Sequence, residues 1–243
     1  MTHAGAISRF VREVEGLSVA PLREPEMLPV RLAMGMARAL PVDGAGISVF
    51  SELRVPLGAS DEHAATVERL QITMGEGPCL SAYEVAAPVV AHQADVAARW
   101  PAFHDVLVSE TAFRSIASVP LYTATARLGA VDLYWTAAEG PMHANTIDDA
   151  AKVAEFIAVV LTSGPEKVSR QTGAPAPAWI DASSVQSRMK VWQAIGLLGA
   201  ALRLSNSDGL ALLRGAAYAA QRTLDDVAAD LVSGKLKPVD VTG

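Results

Sequence analysis

The stretch that decides the fold of the first part of this chain is IASVPLYTATARLGAVDLYWT, residues 116 to 136. It contains two short segments rich in β-branched and aromatic residues, 116 to 123 and 128 to 136, with a turn of small residues between them. This pattern predicts an antiparallel hairpin. By the same criteria, AGISVF (45 to 50) and APVVAH (87 to 92) predict two further strands.

Helical spacing dominates on both sides of these strands. Apolar residues recur every three or four positions after Thr146, which predicts one long amphipathic helix up to about Leu161. A second amphipathic stretch, EPEMLPVRLAMGMARAL (24 to 40), precedes the first strand. Helices that flank a mostly antiparallel sheet make an α+β domain, and we expect one over residues 8 to 162.

A change of composition follows this domain. The segment SGPEKVSRQTGAPAPAW (163 to 179) contains two glycines and three prolines, which exclude a continuous helix or strand. We therefore expect an interdomain linker over residues 163 to 182.

The tail that follows, residues 183 to 237, is predicted to be all helical. At three places a hydroxyl residue stands three positions ahead of a residue that can return a hydrogen bond, which is the pattern of a capping box at a helix start. These pairs are Ser183 with Gln186, Ser205 with Asp208, and Thr223 with Asp226. They predict three helices over 184 to 203, 206 to 220 and 224 to 233.

Composition limits the cellular setting and the class of partner. No uncharged apolar run approaches the roughly 18 residues that a bilayer span requires, and the start lacks the features of a signal peptide, so we expect a cytoplasmic protein without membrane contact. The net charge is −6, which argues against indiscriminate nucleic-acid binding. Residues 185 to 237, however, carry seven basic and four acidic side chains, so a mildly basic tail follows an acidic body.

The tail carries spaced motifs that resemble the ANTAR domain of bacterial transcription antiterminators. They are QAIGLL (193 to 198), a segment of the form SxxxxLxLLRxxA (205 to 217), and RTLDDVAADLVSG (222 to 234). Together they cover the tail in order and without gaps. The resemblance implies a three-helix domain.

Residues 8 to 162 resemble a GAF domain, especially the type that precedes an ANTAR domain. The motifs that carry this resemblance are MGEGPCLSAYE (74 to 84), RWPAFHD (99 to 105), SIASVPLY (115 to 122) and RLGAVDLYW (127 to 135), together with the closing helix. Such a domain is expected to sense a signal.

The two resemblances imply a homodimeric regulator in which the amino-terminal domain controls a tail that binds paired RNA stem-loops in a nascent transcript. Arginine and lysine contact RNA phosphates, and small or flat side chains allow a loop base to approach closely. The residues expected to bind RNA are Arg188, Lys190, Ala194, Gly196, Arg203, Arg214 and Arg222.

One departure from the ANTAR pattern favours an alternative. Many members carry Lys where this chain has Ile195, and Ala where it has Gly209. Loss of a cation that reaches phosphate weakens RNA binding. The alternative is a ligand-sensing or dimerisation and protein-interaction regulator whose tail no longer binds RNA.

In the amino-terminal domain, four residues are candidates for contact with a small-molecule ligand of unknown identity, and no cofactor is expected. The candidates are Cys79, Trp100, Phe103 and Tyr134. The alternative for each is a structural role in the core. The five histidines lack metal-ligand spacing, so no metal site is expected.

We do not expect an enzyme. The sequence contains no glycine-rich phosphate loop, no Ser-His-Asp order and no convincing carboxylate pair. A thiol-dependent reductase would need a partner for Cys79, and the chain has a single cysteine.

Overall fold

The first part of the protein is built on one antiparallel sheet. The computed structural model describes residues 4–50, 53–140, 143–163, 166–168 and 175–242. The five strands lie in the order β2-β1-β5-β4-β3, and every neighbouring pair is antiparallel. Their bounds are β1 Gly44–Phe50, β2 Arg54–Ala59, β3 Val89–Ala91, β4 Ser115–Tyr122 and β5 Arg127–Trp135. The predicted hairpin is confirmed as β4 and β5, with Val119 opposite Val131.

The sequence did not predict β2, which contains Pro56 and Gly58. Proline cannot donate a hydrogen bond to a sheet ladder and is tolerated on an edge strand. Strand β2 lies at the edge of the sheet and pairs only with β1 in the order given, with an irregular register between Ile47 and Ser48. The edge position explains how a Pro- and Gly-containing segment forms a strand here.

Helices cover both faces of the sheet, as expected for an α+β domain. On one face, α1 (Ala4–Gly16), α2 (Leu28–Ala39) and α7 (Ala144–Ser163) pack on an apolar core. The other face carries a second group, which consists of α3 Glu62–Met74, α4 Pro78–Val85, α5 Gln93–Arg99 and α6 Pro101–Glu110. No helix in the described ranges has both the length and the apolarity to cross a bilayer.

The described residues of the interval predicted as a linker form regular structure. Strands β6 (Glu166–Val168) and β7 (Pro175–Pro177) pair, and a 3-10 turn, Ala178–Asp181, leads into the tail. The indole nitrogen of Trp179 donates to the carbonyl oxygen of Leu161 at 3.2 Å, which fastens the end of this interval to α7. The rest of the predicted linker, residues 164–165 and 169–174, lies outside the described residues.

The tail folds as three helices, α8 (Ser183–Leu202), α9 (Asn206–Ala219) and α10 (Leu224–Val232), close to the predicted spans. The hydroxyls of Ser205 and Thr223 accept from the backbone N–H groups three residues later, which confirms two of the predicted caps. In both, the aspartate accepts a hydrogen bond from the cap hydroxyl, and no bond from the backbone N–H of the cap residue to the aspartate completes a capping box.

The third capping prediction is wrong. Helix α8 begins after Ala182, and no side chain caps it. Ser183 therefore lies inside the first turn, where its hydroxyl does not cap the helix start. Instead, Gln186 donates from its side chain to the carbonyl of Ile180 at 3.4 Å, so it contacts the turn before the helix.

Candidate functional site: a buried polar cluster beneath a docked helical tail

A buried ion cluster lies between the sheet and helix α3. Arg54 on β2 places Nη2 2.5 Å from Oε2 of Glu68 on α3 and 3.0 Å from Oδ2 of Asp132 on β5. A second nitrogen of the same guanidinium donates to the backbone carbonyl of Glu68 at 2.8 Å. All three side chains are almost fully buried. One guanidinium thus faces two carboxylates in an environment from which water is excluded.

Hydroxyl groups on the same face of the sheet complete the cluster. Ser48 donates to Glu68 at 2.6 Å, and Ser118 donates to Asp132 at 2.5 Å. The hydroxyl of Tyr134 donates to Oε1 of Glu68 and lies 3.3 Å from Oδ2 of Asp132. Side chains alternate between the two faces of a strand, so Asp132 and Tyr134 on β5 point the same way. The strands therefore place these donors in reach of both carboxylates.

Gln71 connects the cluster to the Gly-rich loop that follows α3. Its Nε2 donates to Asp132 at 2.8 Å, and its Oε1 accepts from the backbone N–H of Cys79 at 3.0 Å. At Gly77, where φ is +142°, an added Cβ would lie 2.5 Å from the Gln71 oxygen. A glycine is therefore required for this loop to approach Gln71.

The charges of the cluster do not balance. Burial raises the pKa of the Glu68 carboxyl to about 7, and the nearby Asp132 carboxylate adds to the rise, while Arg54 opposes it. A single guanidinium cannot neutralise both acids, so the cluster holds a proton more tightly than an exposed carboxyl does. Near neutral pH the cluster can therefore change charge.

The four residues predicted to contact a ligand are all buried, at two neighbouring places. Tyr134 belongs to the polar cluster, and Cys79 is bonded to it through its backbone. Trp100 and Phe103 lie in the apolar core between the sheet and helices α3 to α6. Burial raises the pKa of the Cys79 thiol well above its usual range, which disfavours the reactive thiolate. Ligand contact by these residues stays a prediction.

The helical tail docks on the carboxyl-terminal end of α3. Ile72 is buried in the apolar core of the tail, although it belongs to α3. The side chain of Arg214 on α9 donates from Nε to the carbonyl oxygen of Ile72 at 3.1 Å. At the start of α10, the N–H of Leu224 donates to the Thr73 hydroxyl at 3.2 Å. Helix α3 therefore carries the polar cluster and receives the tail.

The end of α3 is shaped to receive Arg214. The helix ends at Gly75, which adopts a left-handed conformation with φ +72°. A Cβ at this position would lie 2.8 Å from the Arg214 guanidinium. A cation at a helix carboxyl terminus also interacts favourably with the helix dipole. Glycine is therefore favoured at this position for two reasons, because it adopts the left-handed conformation without strain and because it has no Cβ that would clash with Arg214.

Arg188, one of the predicted RNA contacts, is buried inside the tail. It is 2 % exposed and pairs with Asp225 at 3.2 Å. Its Nε and Nη1 atoms have no hydrogen-bond partner among the described residues. Burial lowers the pKa of Arg188, Asp225 opposes this, and the nearby charges of Arg54 and Arg214 lower it further. Arg188 therefore lies within electrostatic range of Arg54 in the amino-terminal domain and of Arg214 in the tail.

The other predicted RNA contacts are spread over the tail. Ala194 is buried, whereas Lys190, Gly196 and Arg203 are exposed. Lys190 and Arg203 are separated by 13 residues along α8, about 20 Å at the rise of an α-helix. Arg222 is exposed and pairs with Asp230 at 2.7 Å. The structure thus does not gather the seven residues on one surface in this docked arrangement.

Of the residues that build the polar cluster, the sequence pointed only to Tyr134 and did not reveal its charged members. Its acids, Glu68 and Asp132, lie far apart in the chain and on different elements, so no spacing joins them. A signal exists in β5, where Asp132 interrupts the apolar segment GAVDLYW of a strand that is buried on both faces. A buried carboxylate requires a charged or hydrogen-bonding partner, so Asp132 in this strand indicates a cationic or polar partner from another element.

Comparison with known proteins supports the fold of the amino-terminal domain. The protein is similar to the GAF domain of a phosphoenolpyruvate-protein phosphotransferase from Coxiella burnetii, with 13% identity and a TM-score of 0.50, over 67% of this chain and 96% of that one. It also matches a domain of a two-component sensor histidine kinase protein from Sinorhizobium meliloti 1021, with 18% identity and a TM-score of 0.43, over 53% and 83% of the two chains. No family model matches the sequence, and no curated protein is significantly similar to it. The first likeness shows a GAF-like fold.

Proposed function

We propose that this protein is a homodimeric RNA-binding transcription antitermination regulator, in which the GAF-like domain senses a signal and controls the helical tail. The observation that carries the proposal is the contact of Arg214 with the carboxyl-terminal end of α3. This arginine belongs to the LLR motif of the ANTAR-like tail and contacts the amino-terminal domain through the Ile72 carbonyl. Docking therefore occupies a cation that the resemblance assigns to RNA.

The energetics of Arg214 favour a tail that can be released. Burial lowers the pKa of this guanidinium, and among the described residues its only hydrogen bond is to a carbonyl oxygen, with no carboxylate in ion-pair distance. Its positive charge is therefore partly desolvated without a carboxylate to pair with it, which costs free energy. An RNA phosphate would provide the charged partner that the docked state lacks.

Helix α3 provides a physical route from the interior of the domain to the tail. Glu68 and Gln71 face the polar cluster, while Ile72 and Thr73, one to five residues later, contact the tail. A signal that changes the hydrogen bonds of the cluster would move or loosen the last turn of α3. The mechanism is a shift in the populations of docked and released tail.

A cavity substitution at the docking contact tests this proposal. Ile72→Ala removes apolar contact from the tail core, and such changes typically cost about 2–5 kcal/mol. We expect the tail to be released more often and the affinity for an RNA with paired hairpins to rise at least about tenfold. Fluorescence anisotropy of labelled RNA, at low and at physiological salt, measures this affinity.

The matched control is Ile116→Ala. Ile116 is equally buried, but it lies in the core between the sheet and helices α3 to α6 and does not belong to the tail core. This variant should be destabilised without a gain in RNA affinity. Adding Arg214→Ala to Ile72→Ala should lower the affinity and reduce its dependence on salt, because a phosphate contact is lost. Hydrogen exchange that shows a released tail without RNA binding would contradict the proposal.

A second candidate function, a tail for dimerisation or protein interaction, is favoured by the exposed surface of α8. Met189 and Leu197 are 40% and 43% exposed, and a Cβ added at Gly196 would touch nothing within 4 Å. Analytical ultracentrifugation of Leu197→Glu tests this candidate. A loss of dimer with unchanged RNA affinity would favour an interaction surface, and an unchanged dimer would remove α8 as its site.

A further inference from the structure

A cleft on the side of the domain away from the polar cluster has the composition of a small-molecule site. It lies between the start of α2, the end of α7 and the 3-10 turn before the tail, and its volume is about 280 Å³. Two arginines, Arg23 and Arg31, line it together with Leu28, Val160 and Trp179. We propose that this cleft binds a small organic carboxylate with a flat or compact apolar body.

The apolar walls of the cleft are held in place by the fold. Val160 and Leu161 come from the last turns of α7, and Leu161 is buried in the main apolar core. The hydrogen bond from Trp179 to the Leu161 carbonyl fixes the indole against the same helix. Binding sites of this kind combine apolar walls with a few polar groups that set the orientation of the ligand.

The polar groups of the cleft are cationic and incompletely partnered. The Nε atom of Arg31 is buried, and no described residue accepts a hydrogen bond from it. Arg23 makes one long bond, 3.4 Å, from Nε to the Ser18 carbonyl. No carboxylate is among the described residues that line the cleft, although Glu24 and Glu26 are near in sequence. Two guanidinium groups with no acid between them in the described part of the cleft favour an anionic ligand.

Size and chemistry select the class of anion. The volume of about 280 Å³ lies just below the usual range for ligand sites, about 300–1,000 Å³, so a nucleotide or a lipid is too large. The guanidinium fork matches the two oxygens of a carboxylate, and the apolar walls favour a ligand with a hydrocarbon body. A small aromatic or alicyclic carboxylate satisfies both requirements.

The position of the cleft connects it to the tail. The turn Ala178–Asp181 that bears Trp179 leads directly into α8, which starts at Ser183. A ligand in the cleft would therefore join α2 and α7 to the segment that carries the tail. This inference is independent of the proposed RNA binding, because it concerns binding of a small anion to the cleft itself.

The test is isothermal titration calorimetry of the full-length protein with benzoate and with benzamide, its neutral isostere. We expect saturable binding of benzoate, at least about tenfold tighter than that of benzamide. Arg31→Gln removes the charge and should weaken benzoate binding at least about tenfold. Arg38→Gln, on the exposed side of the same helix and outside the cleft, is the matched control and should change the affinity less than about twofold.

Several outcomes would overturn the inference. They are equal affinity for benzoate and benzamide, the absence of saturable binding of benzoate and of cyclohexanecarboxylate up to about 10 mM, or equal losses in Arg31→Gln and Arg38→Gln. Circular dichroism verifies that each variant is folded. If Arg31→Gln does not fold, Arg23→Gln replaces it, since Arg23 is exposed, and unchanged benzoate affinity in that variant likewise overturns the inference.

Discussion

The two faces of the central sheet are both buried, yet they are stabilised in different ways. On the face covered by α1, α2 and α7, side chains such as Ile47, Val131 and Leu133 form an apolar core. On the opposite face, the next residues of the same strands, Ser48 and Asp132, enter a network of ions and hydrogen bonds. Adjacent residues along one strand are thus stabilised by different interactions, apolar packing on one face and ionic and hydrogen-bonding contacts on the other.

The difference separates a structural face from a responsive one. Apolar packing is non-directional and does not depend on protonation. The apolar face therefore tolerates small changes in side-chain shape and does not respond to a change in protonation. A buried ionic network depends on every partner, because each lost partner leaves another group unsatisfied. The polar face is therefore the one through which a small chemical change could reach α3 and the tail.

The largest expected effect comes from removing the cation of the polar face. Arg54→Met leaves Glu68 and Asp132 buried without a counter-charge, and breaking a buried pair in this way costs about 3–5 kcal/mol. Urea unfolding measures the loss. Adding Glu68→Gln and Asp132→Asn removes the unpaired charges and should restore part of the stability. No recovery in the triple variant would show that Arg54 contributes through packing.

On the apolar face, Leu133→Ala should cost somewhat less, about 3 kcal/mol, because it removes a fully buried side chain and leaves a cavity. The decisive feature is that this loss of stability should not depend on pH. The free energy of unfolding should fall by the same amount at every pH, since no charge changes. A cost that varies with pH would mean that the two faces are coupled.

The pH dependence of the free energy of unfolding reports the titration of Glu68. Its carboxyl has an ordinary pKa of 4.5 and a pKa of about 7 in the folded protein, so between these values the folded state binds more protons than the unfolded state. Stability should therefore be highest below pH 4.5 with respect to this group and fall as pH rises to about 7, by up to about 1.4 kcal/mol per pH unit. Glu68→Gln should flatten this slope in urea titrations from about pH 5 to about pH 8. An equal slope in the variant would assign the titration elsewhere.

The smallest effect is expected at Cys79. Its thiol is buried beside Arg54, and sulfur is only a weak hydrogen-bonding group, so Cys79→Ala should cost only about 1 kcal/mol and leave RNA affinity unchanged. In the native protein the thiol should react with iodoacetamide far more slowly than in urea. Rapid native labelling, or a change in RNA affinity, would revive a role for this cysteine in sensing or in thiol chemistry.

The regular parts of the fold followed from local patterns. The strands β4 and β5 are predictable because each is rich in residues that favour strands, and the tail helices because hydroxyl caps mark the starts of α9 and α10. The predicted fold of an α+β domain followed by helices is confirmed at this level. The domain boundaries and the ANTAR assignment stay predictions.

The polar cluster depends on contacts between distant residues, which a single sequence does not encode in its spacing. Arg54 is 14 positions from Glu68 and 78 from Asp132, and only the edge strand β2 brings it to them. The same reason explains Arg188. As a charged residue on an amphipathic helix it was expected on the surface, but pairing with Asp225, 37 positions away, allows its burial.

The insertion of Ile72 into the tail core has a practical consequence for dissecting the protein. Leu53, from the amino-terminal domain, lies in the same apolar core, so neither half covers its own hydrophobic surface. Cutting the chain before α8 would expose Ile72 and Leu53 to water on the amino-terminal fragment. It would also expose the apolar face of the tail helices on the other fragment. Separately produced halves are thus expected to self-associate, and recombining them should restore solubility that neither fragment has alone.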